Sequence, residues 1–295
     1  MIKNIKRLLL LVTFIILFII YFINSNYIID SIINYSILFL TKLFPSTFIF
    51  YLLSSIIIEY KLLDYCSKYL SLKNPSSYLL ILSIITGFPS GAKYTKELLD
   101  LNYLKEKEAN KGLMYSHFPN PIFVLGSITP LLNNKYLSLK IYLSILISNM
   151  IIYFFSKSKS HISKDITTDN KSFSFILKIS IEKTFHTLLI IYGTSLFFSL
   201  IGSIITYYIS LKPINYVIIN SIFDLTKGIF STSIINYTII RAFIILIILS
   251  FGNISIHIQA SSFLENSTLM YHSFLKGRII GTFISLIIFI LLLLI

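Results

Sequence analysis

Eight stretches of this 295-residue chain carry no Asp, Glu, Lys or Arg: 8–29, 43–58, 74–92, 112–134, 141–156, 184–211, 242–264 and 279–295. A helix needs about 20 mainly apolar residues to cross a bilayer, and several of these stretches reach that length. The rest of the sequence cannot cover them with polar surface. Only 13% of residues are charged, against roughly 25% in an ordinary soluble domain. A mean hydropathy of +0.82 excludes disorder. The expected fold is all-α, a polytopic transmembrane helix bundle in the cell membrane, with the lipid bilayer as its first partner.

Lys and Arg total 25 against 12 Asp and Glu. The positive charges flank the apolar runs, as loops on the cytoplasmic side do, so no nucleic-acid partner is expected. Lys3, Lys6 and Arg7 precede the first run, and no small-residue cleavage site follows it. Residues 1–26 are therefore expected to be a retained transmembrane helix with a cytoplasmic N-terminus. The single cysteine, Cys66, offers no disulfide partner and no cysteine zinc site. No metal and no cofactor is expected.

The apolar runs are not alike. Residues 8–29, 141–156 and 279–295 read as plain helices. Run 74–92 ends in Gly87-Phe88-Pro89-Ser90-Gly91, run 112–134 is cut by Phe118-Pro119-Asn120-Pro121, and run 242–264 by Gly252-Asn253. Lipid cannot satisfy freed backbone groups, so such breaks survive only inside protein or beside a wet cavity. Each break predicts a re-entrant hairpin or a broken helix. Residues 27–43 read as an interfacial helix, with Phe44-Pro45 opening the next span. Residues 157–172 read as a cytoplasmic linker, and 173–185 as a second amphipathic segment. Two pseudo-repeated halves follow: 27–156, with a hairpin near 77–100 and a broken helix near 106–132, and 173–295, with a break near 250–260. Paired broken helices are a transporter design, with the site near mid-membrane. Lys276 and Arg278 read as loop charges before the last helix, and Arg241 as a snorkelling side chain.

The breaks carry the candidate site. Gly87, Pro89 and Gly91 permit a tight turn, leaving a half-helix N-terminus near Ser90. Pro119 and Pro121 remove two donors beside His117 and Asn120. After Gly252, the polar residues Asn253, Ser255, His257 and Gln259 alternate with apolar ones. If extended, they share one face; if helical, Asn253 pairs with His257 and Ser255 with Gln259. Asp224 and Lys227 interrupt 213–240 and are spaced to pair. No H-E-x-x-H, G-x-S-x-G or P-loop is present, so no enzyme is expected. The S-x-x-K spacing of Ser90 and Lys93 lacks the other motifs of penicillin-binding serine enzymes.

Six segments in order, 42–48, 87–93, 120–123, 224–228, 250–252 and 255–259, make the chain resemble YlbJ-like sporulation integral membrane proteins. They read Lys-Leu-Phe-Pro-Ser-Thr-Phe, Gly-Phe-Pro-Ser-Gly-Ala-Lys, Asn-Pro-Ile-Phe, Asp-Leu-Thr-Lys-Gly, Ser-Phe-Gly and Ser-Ile-His-Ile-Gln. The resemblance covers roughly residues 44–278. Asp224 stands where that family has Glu, and Asn253 where it has a second Gly. The resemblance implies a nucleoside-recognition (Gate) domain, a core similar to concentrative nucleoside transporters, and a role in spore cortex formation.

The expected function is transport of a small polar, nucleoside-like solute between the bends at Gly87–Gly91 and 252–259. Ser90, His117, Asn120, Asn253, Ser255, His257 and Gln259 would contact it. The alternative is a non-transporting scaffold or sensor for spore-envelope assembly. Monomer and homo-oligomer both stay open.

Overall fold

The computed structural model describes residues 2–62, 74–156, 172–209 and 211–295. Residues 157–171 of the expected linker 157–172, and Cys66, lie outside the described residues. Among the described residues every regular element is helical. Five runs are long and apolar enough to cross a membrane: Ser25–Glu59, Lys135–Ser156, Phe173–Tyr208, Thr238–Leu264 and Tyr271–Leu293. The chain is thus a multi-pass membrane protein by composition and helix length.

Helix α1 spans Ile2–Ile23 and α2 spans Ser25–Leu38. The expected single run at 8–29 is divided at Asn24, whose Nδ2 donates to the carbonyl of Ile20 (2.8 Å). The residues read as an interfacial helix do not stand apart. They continue through a wide turn, Phe39–Leu43, into α3, Phe44–Glu59. Pro45 falls in the first turn of α3, just after the wide turn, where a missing N–H is tolerated, and hydroxyls brace the same turn. Ser46 Oγ donates to Leu43 O (2.8 Å), and so does Thr47 Oγ1 (2.8 Å). Hydroxyls of this kind let proline sit within a helical run.

Then come α4 (Pro75–Thr86), α5 (Ser90–Asp100), α6 (Glu106–Tyr115), α7 (Pro121–Leu132) and α8 (Lys135–Ser156). The second part holds α9 (Phe173–Tyr208), α10 (Pro213–Phe223), α11 (Leu225–Ser231), α12 (Thr238–Phe251), α13 (Ile254–Leu264) and α14 (Tyr271–Leu293). The amphipathic segment expected at 173–185 is simply the first third of α9, with no boundary between the two. Helix α14 packs along α8, α6 and α12, and α9 packs along α3, α2, α10 and α13.

Around a large apolar core, the helices turn small and polar residues toward their contacts and many large apolar residues outward. On α14, Phe283 and Ile287 are 67% and 60% exposed, whereas Ser285 and Arg278 are 0% and 1% exposed. Gly277 lies against the Met114 backbone so tightly that a Cβ there would overlap the Met114 carbonyl. Ser148 Oγ donates to the Gly281 carbonyl (2.8 Å). Small residues and hydroxyls at helix contacts, with large apolar residues outward, are what lipid-immersed helices require.

Candidate functional site

Four interruptions of the helices organise the interior, and a polar side chain caps the following helix in three of them. Asn120 Oδ1 accepts from Phe123 N (3.1 Å), Asp224 Oδ1 from Lys227 N (2.9 Å), and Asn253 Oδ1 from Ile256 N (3.1 Å). Each cap satisfies a backbone donor that the break exposes. Two glycines end the preceding helices in the same left-handed geometry, Gly87 at φ 77° and ψ −180° and Gly252 at φ 91° and ψ −164°. This combination is nearly closed to any residue with a Cβ.

The first two breaks form one unit. Phe88 N donates to the Phe118 carbonyl (2.7 Å). Asn120 Nδ2 donates to Ser46 O (2.8 Å) and Thr86 O (3.2 Å). A Cβ on Gly87 would lie 2.6 Å from Asn120 N, and one on Gly91 would overlap the Ser116 carbonyl. Ser90 Oγ meets Thr86 Oγ1 (2.5 Å) and donates to the Gly87 carbonyl. Pro119 and Pro121 hold the chain out of helix from 116 to 120 and restart it at Pro121. Ser90, His117 and Asn120 are all buried.

The strip from 253 to 259 is helical from Ile254 onward, so its four polar residues do not share a face. Asn253 and Ser255 turn toward Asp224: Ser255 Oγ meets Asn253 Oδ1 (2.8 Å) and Asp224 Oδ2 (3.3 Å). Gln259 Nε2 donates to Ser195 Oγ (2.9 Å) on α9. His257 faces the other way, its Nδ1 2.7 Å from the Tyr271 hydroxyl and its Nε2 3.2 Å from the Phe251 carbonyl. The expected Asp224–Lys227 ion pair takes another form. Asp224 bonds the Lys227 backbone, and the Lys227 ammonium reaches Ser203 Oγ on α9 instead.

The structure brings the two glycine bends together through a column of rings. Phe88 stacks on His117 (4.7 Å, 14°), and His117 meets the edge of Phe274 (5.7 Å). Phe274 also meets His257 (5.5 Å), which packs on Phe251 (5.1 Å). These separations favour tilted and edge contacts between rings. Aromatic rings, not an open polar chamber, thus occupy the path from Phe88 to Phe251. Next to the second bend lies a groove of about 560 Å³, lined largely by isoleucines and reaching Gly252, Asn253, His257 and Tyr271.

Arg278, a loop charge by its place in the sequence, is buried in the helix bundle. Its guanidinium donates to four acceptors: Met114 O (3.0 Å), Ser250 O (3.2 Å), Asn149 Oδ1 (3.3 Å) and His117 O (3.4 Å). It also lies 5.5 Å from the Phe274 ring. Met114 and Ser250 sit in the last turns of α6 and α12, where carbonyls lack helical partners and carry partial negative charge. One cation therefore ties both broken helices together. The other membrane arginine behaves alike. Arg241 donates to Ile235 O (2.6 Å) and Leu131 O (3.0 Å), at the end of α7.

Sequence reasoning missed Arg278, Asn149, Phe274 and Tyr35. The only hint for Arg278 is its place directly before the uncharged run 279–295 and after Gly277. The chain matches no family model, no curated protein and no solved structure.

Proposed function

We propose that this chain is a membrane transporter-like protein that passes a small, neutral polar solute, with its two glycine bends as the moving core. The observation that carries this is buried, broken main chain at Gly87 and Gly252 in one shared geometry inside an apolar bundle. Non-helical backbone at membrane depth is tolerated only when sheltered by protein or beside a cavity. Matched breaks in two halves are how many transporters build a central site. On this reading the bends are re-entrant or broken-helix elements of two pseudo-repeated halves, and the N-terminus is cytoplasmic.

The side chains at the second bend support a neutral solute. Asn253 Nδ2 and Gln259 Oε1 are buried without partners, and the His257–Tyr271 pair borders the groove. Such groups recognise hydroxyls and amides, as on a nucleoside or sugar. The resemblance to YlbJ-like proteins assigns the role to spore cortex formation. Uptake of a panel of nucleosides and cortex precursors into vesicles holding the protein tests this. His257→Ala and Gln259→Ala should each abolish flux of the accepted solute. Normal flux and normal sporulation in both variants would refute the site.

A scaffold role is the second reading. It draws on Ser90, Asn120 and Ser255, which spend their hydrogen bonds within the protein, and on the packed ring column. It predicts no binding of any panel member, with loss of function from changes in 93–111 or 156–171 instead.

A further inference from the structure

Asp224 is a fully buried carboxylate inside a membrane helix bundle. An ionisable group there is costly and is retained for a function in most proteins. Among the described residues no basic side chain makes an ion-pair contact with it, and Lys227 acts on it only through space. Its Oδ1 accepts from Lys227 N (2.9 Å), and its Oδ2 faces the Tyr35 hydroxyl (3.2 Å) and Ser255 Oγ (3.3 Å). The Lys227 ammonium is turned away to Ser203 Oγ and the Ser199 carbonyl.

Tyr35 connects this carboxylate to a polar space. A cavity of about 290 Å³ is lined by Tyr27, Asn34, Tyr35, Ser199, Tyr216 and Lys227. A chain of hydrogen-bonding groups runs from that cavity through Tyr35 Oη, Asp224 Oδ2 and Ser255 Oγ to Asn253 Oδ1, the cap of the second bend. The titratable groups facing Asp224 are Tyr35 from α2 and Lys227 from α11. Helix α9 presents Ser195 and α13 presents Ser255, neither of which titrates.

We propose that Asp224 is a proton-binding site that couples protonation to the second bend. A hydronium ion entering the cavity gives a proton to Tyr35 Oη as the phenol passes its own to Asp224 Oδ2, and a neutral water is left behind. One O–H bond breaks and one forms on the phenol, and a new O–H forms on the carboxylate. Ionised, Asp224 only accepts and shares the Ser255 hydroxyl with Asn253 Oδ1; protonated, its Oδ2 becomes a donor and a weaker acceptor and loses its share of that hydroxyl. Ser255 then bonds Asn253 Oδ1 alone and competes with Ile256 N for that oxygen, loosening the cap of α13. This deepens the transporter reading by naming the coupling ion, and rests on that reading for its purpose only.

Infrared difference spectroscopy of the full chain in nanodiscs, stepped from neutral to acidic pH, tests it without any solute. The expected result is a protonated-carboxyl C=O band that shifts with ¹³C-labelled aspartate and is lost in Asp224→Asn. Tyr35→Phe should keep the band but slow its appearance after a pH jump. Spin labels at positions 222 and 258 should change separation with pH in the parent and not in Asp224→Asn. If that variant does not fold, Asp224→Glu should move the band. A band unchanged in these variants, no aspartate band at any pH, or a separation that follows sodium and not pH would overturn the proposal. Absent flux with the band present would sink the transporter reading and leave the proton site standing.

Discussion

Replacing Arg278 with Met removes four donor contacts from a site that is 1% exposed. The guanidinium serves three main-chain carbonyls and Asn149 Oδ1 at 3.0–3.4 Å. A hydrogen bond to a charged group contributes about 1.5–3 kcal/mol, and three of these four are long enough to sit at the low end. The sum, near 6 kcal/mol by that scale, is offset by the several kcal/mol released when a buried cation is removed. The net loss is about 3 kcal/mol, felt where α6 and α12 end. Opening of those ends should then rise roughly 100-fold. Amide hydrogen exchange in detergent or nanodiscs reads this directly. Amides at 114–118 and 249–252 should exchange faster by that factor, while those at 190–200 on α9 stay protected. Arg278→Lys should fall between, since one ammonium cannot reach acceptors on three helices. Exchange at both ends unchanged in Arg278→Met, or equal acceleration throughout the chain, would refute the clamp.

Two further substitutions probe the same packing. Gly277→Ala should lower stability by about 2 kcal/mol, because its Cβ meets the Met114 backbone; Gly193→Ala, with nothing within 4 Å of its Cβ, should be neutral or stabilising by up to about 1 kcal/mol. Unfolding midpoints of the two variants in one detergent compare them. Asn120→Ala should cost about 3 kcal/mol, from a lost cap and two lost donors. Asn120→Asp should recover only the cap, and equal stability of all three proteins would contradict the bracing role of Asn120.

The interruptions of the fold were legible in the sequence because their causes are local. Gly87 and Gly252 permit backbone that other residues resist, Pro119 and Pro121 deny donors, and Asn120, Asp224 and Asn253 can cap the next helix. Pro45 shows the limit of that logic. It lies just after the wide turn Phe39–Leu43, in the first turn of α3, so the helical run continues where proline alone argues for a start. Asn253, Ser255, His257 and Gln259 read as a strip, but helical geometry sends His257 to α14 and Gln259 to α9. Arg278 was illegible for a different reason. Its partners lie 28 to 164 residues away, and three of the four are carbonyls that every residue carries. A charge near the edge of an apolar run looks like a loop until tertiary contacts place it inside. The meeting of His117 and His257 on Phe274 is likewise a product of packing, with no signature in spacing.

The proposed function requires both sets of breaks to lie at hydrocarbon depth, sheltered by their own neighbours. Ile122 and Ile254 each sit one or two positions from a break and are 49% and 36% exposed. Nitroxide labels at these two positions, in the otherwise unchanged chain in bilayers, report depth by collision with oxygen and with a water-soluble nickel complex. Both labels should be reached by oxygen, shielded from nickel, and at similar depth. A label that collides freely with nickel would put its break at the water boundary and contradict the account.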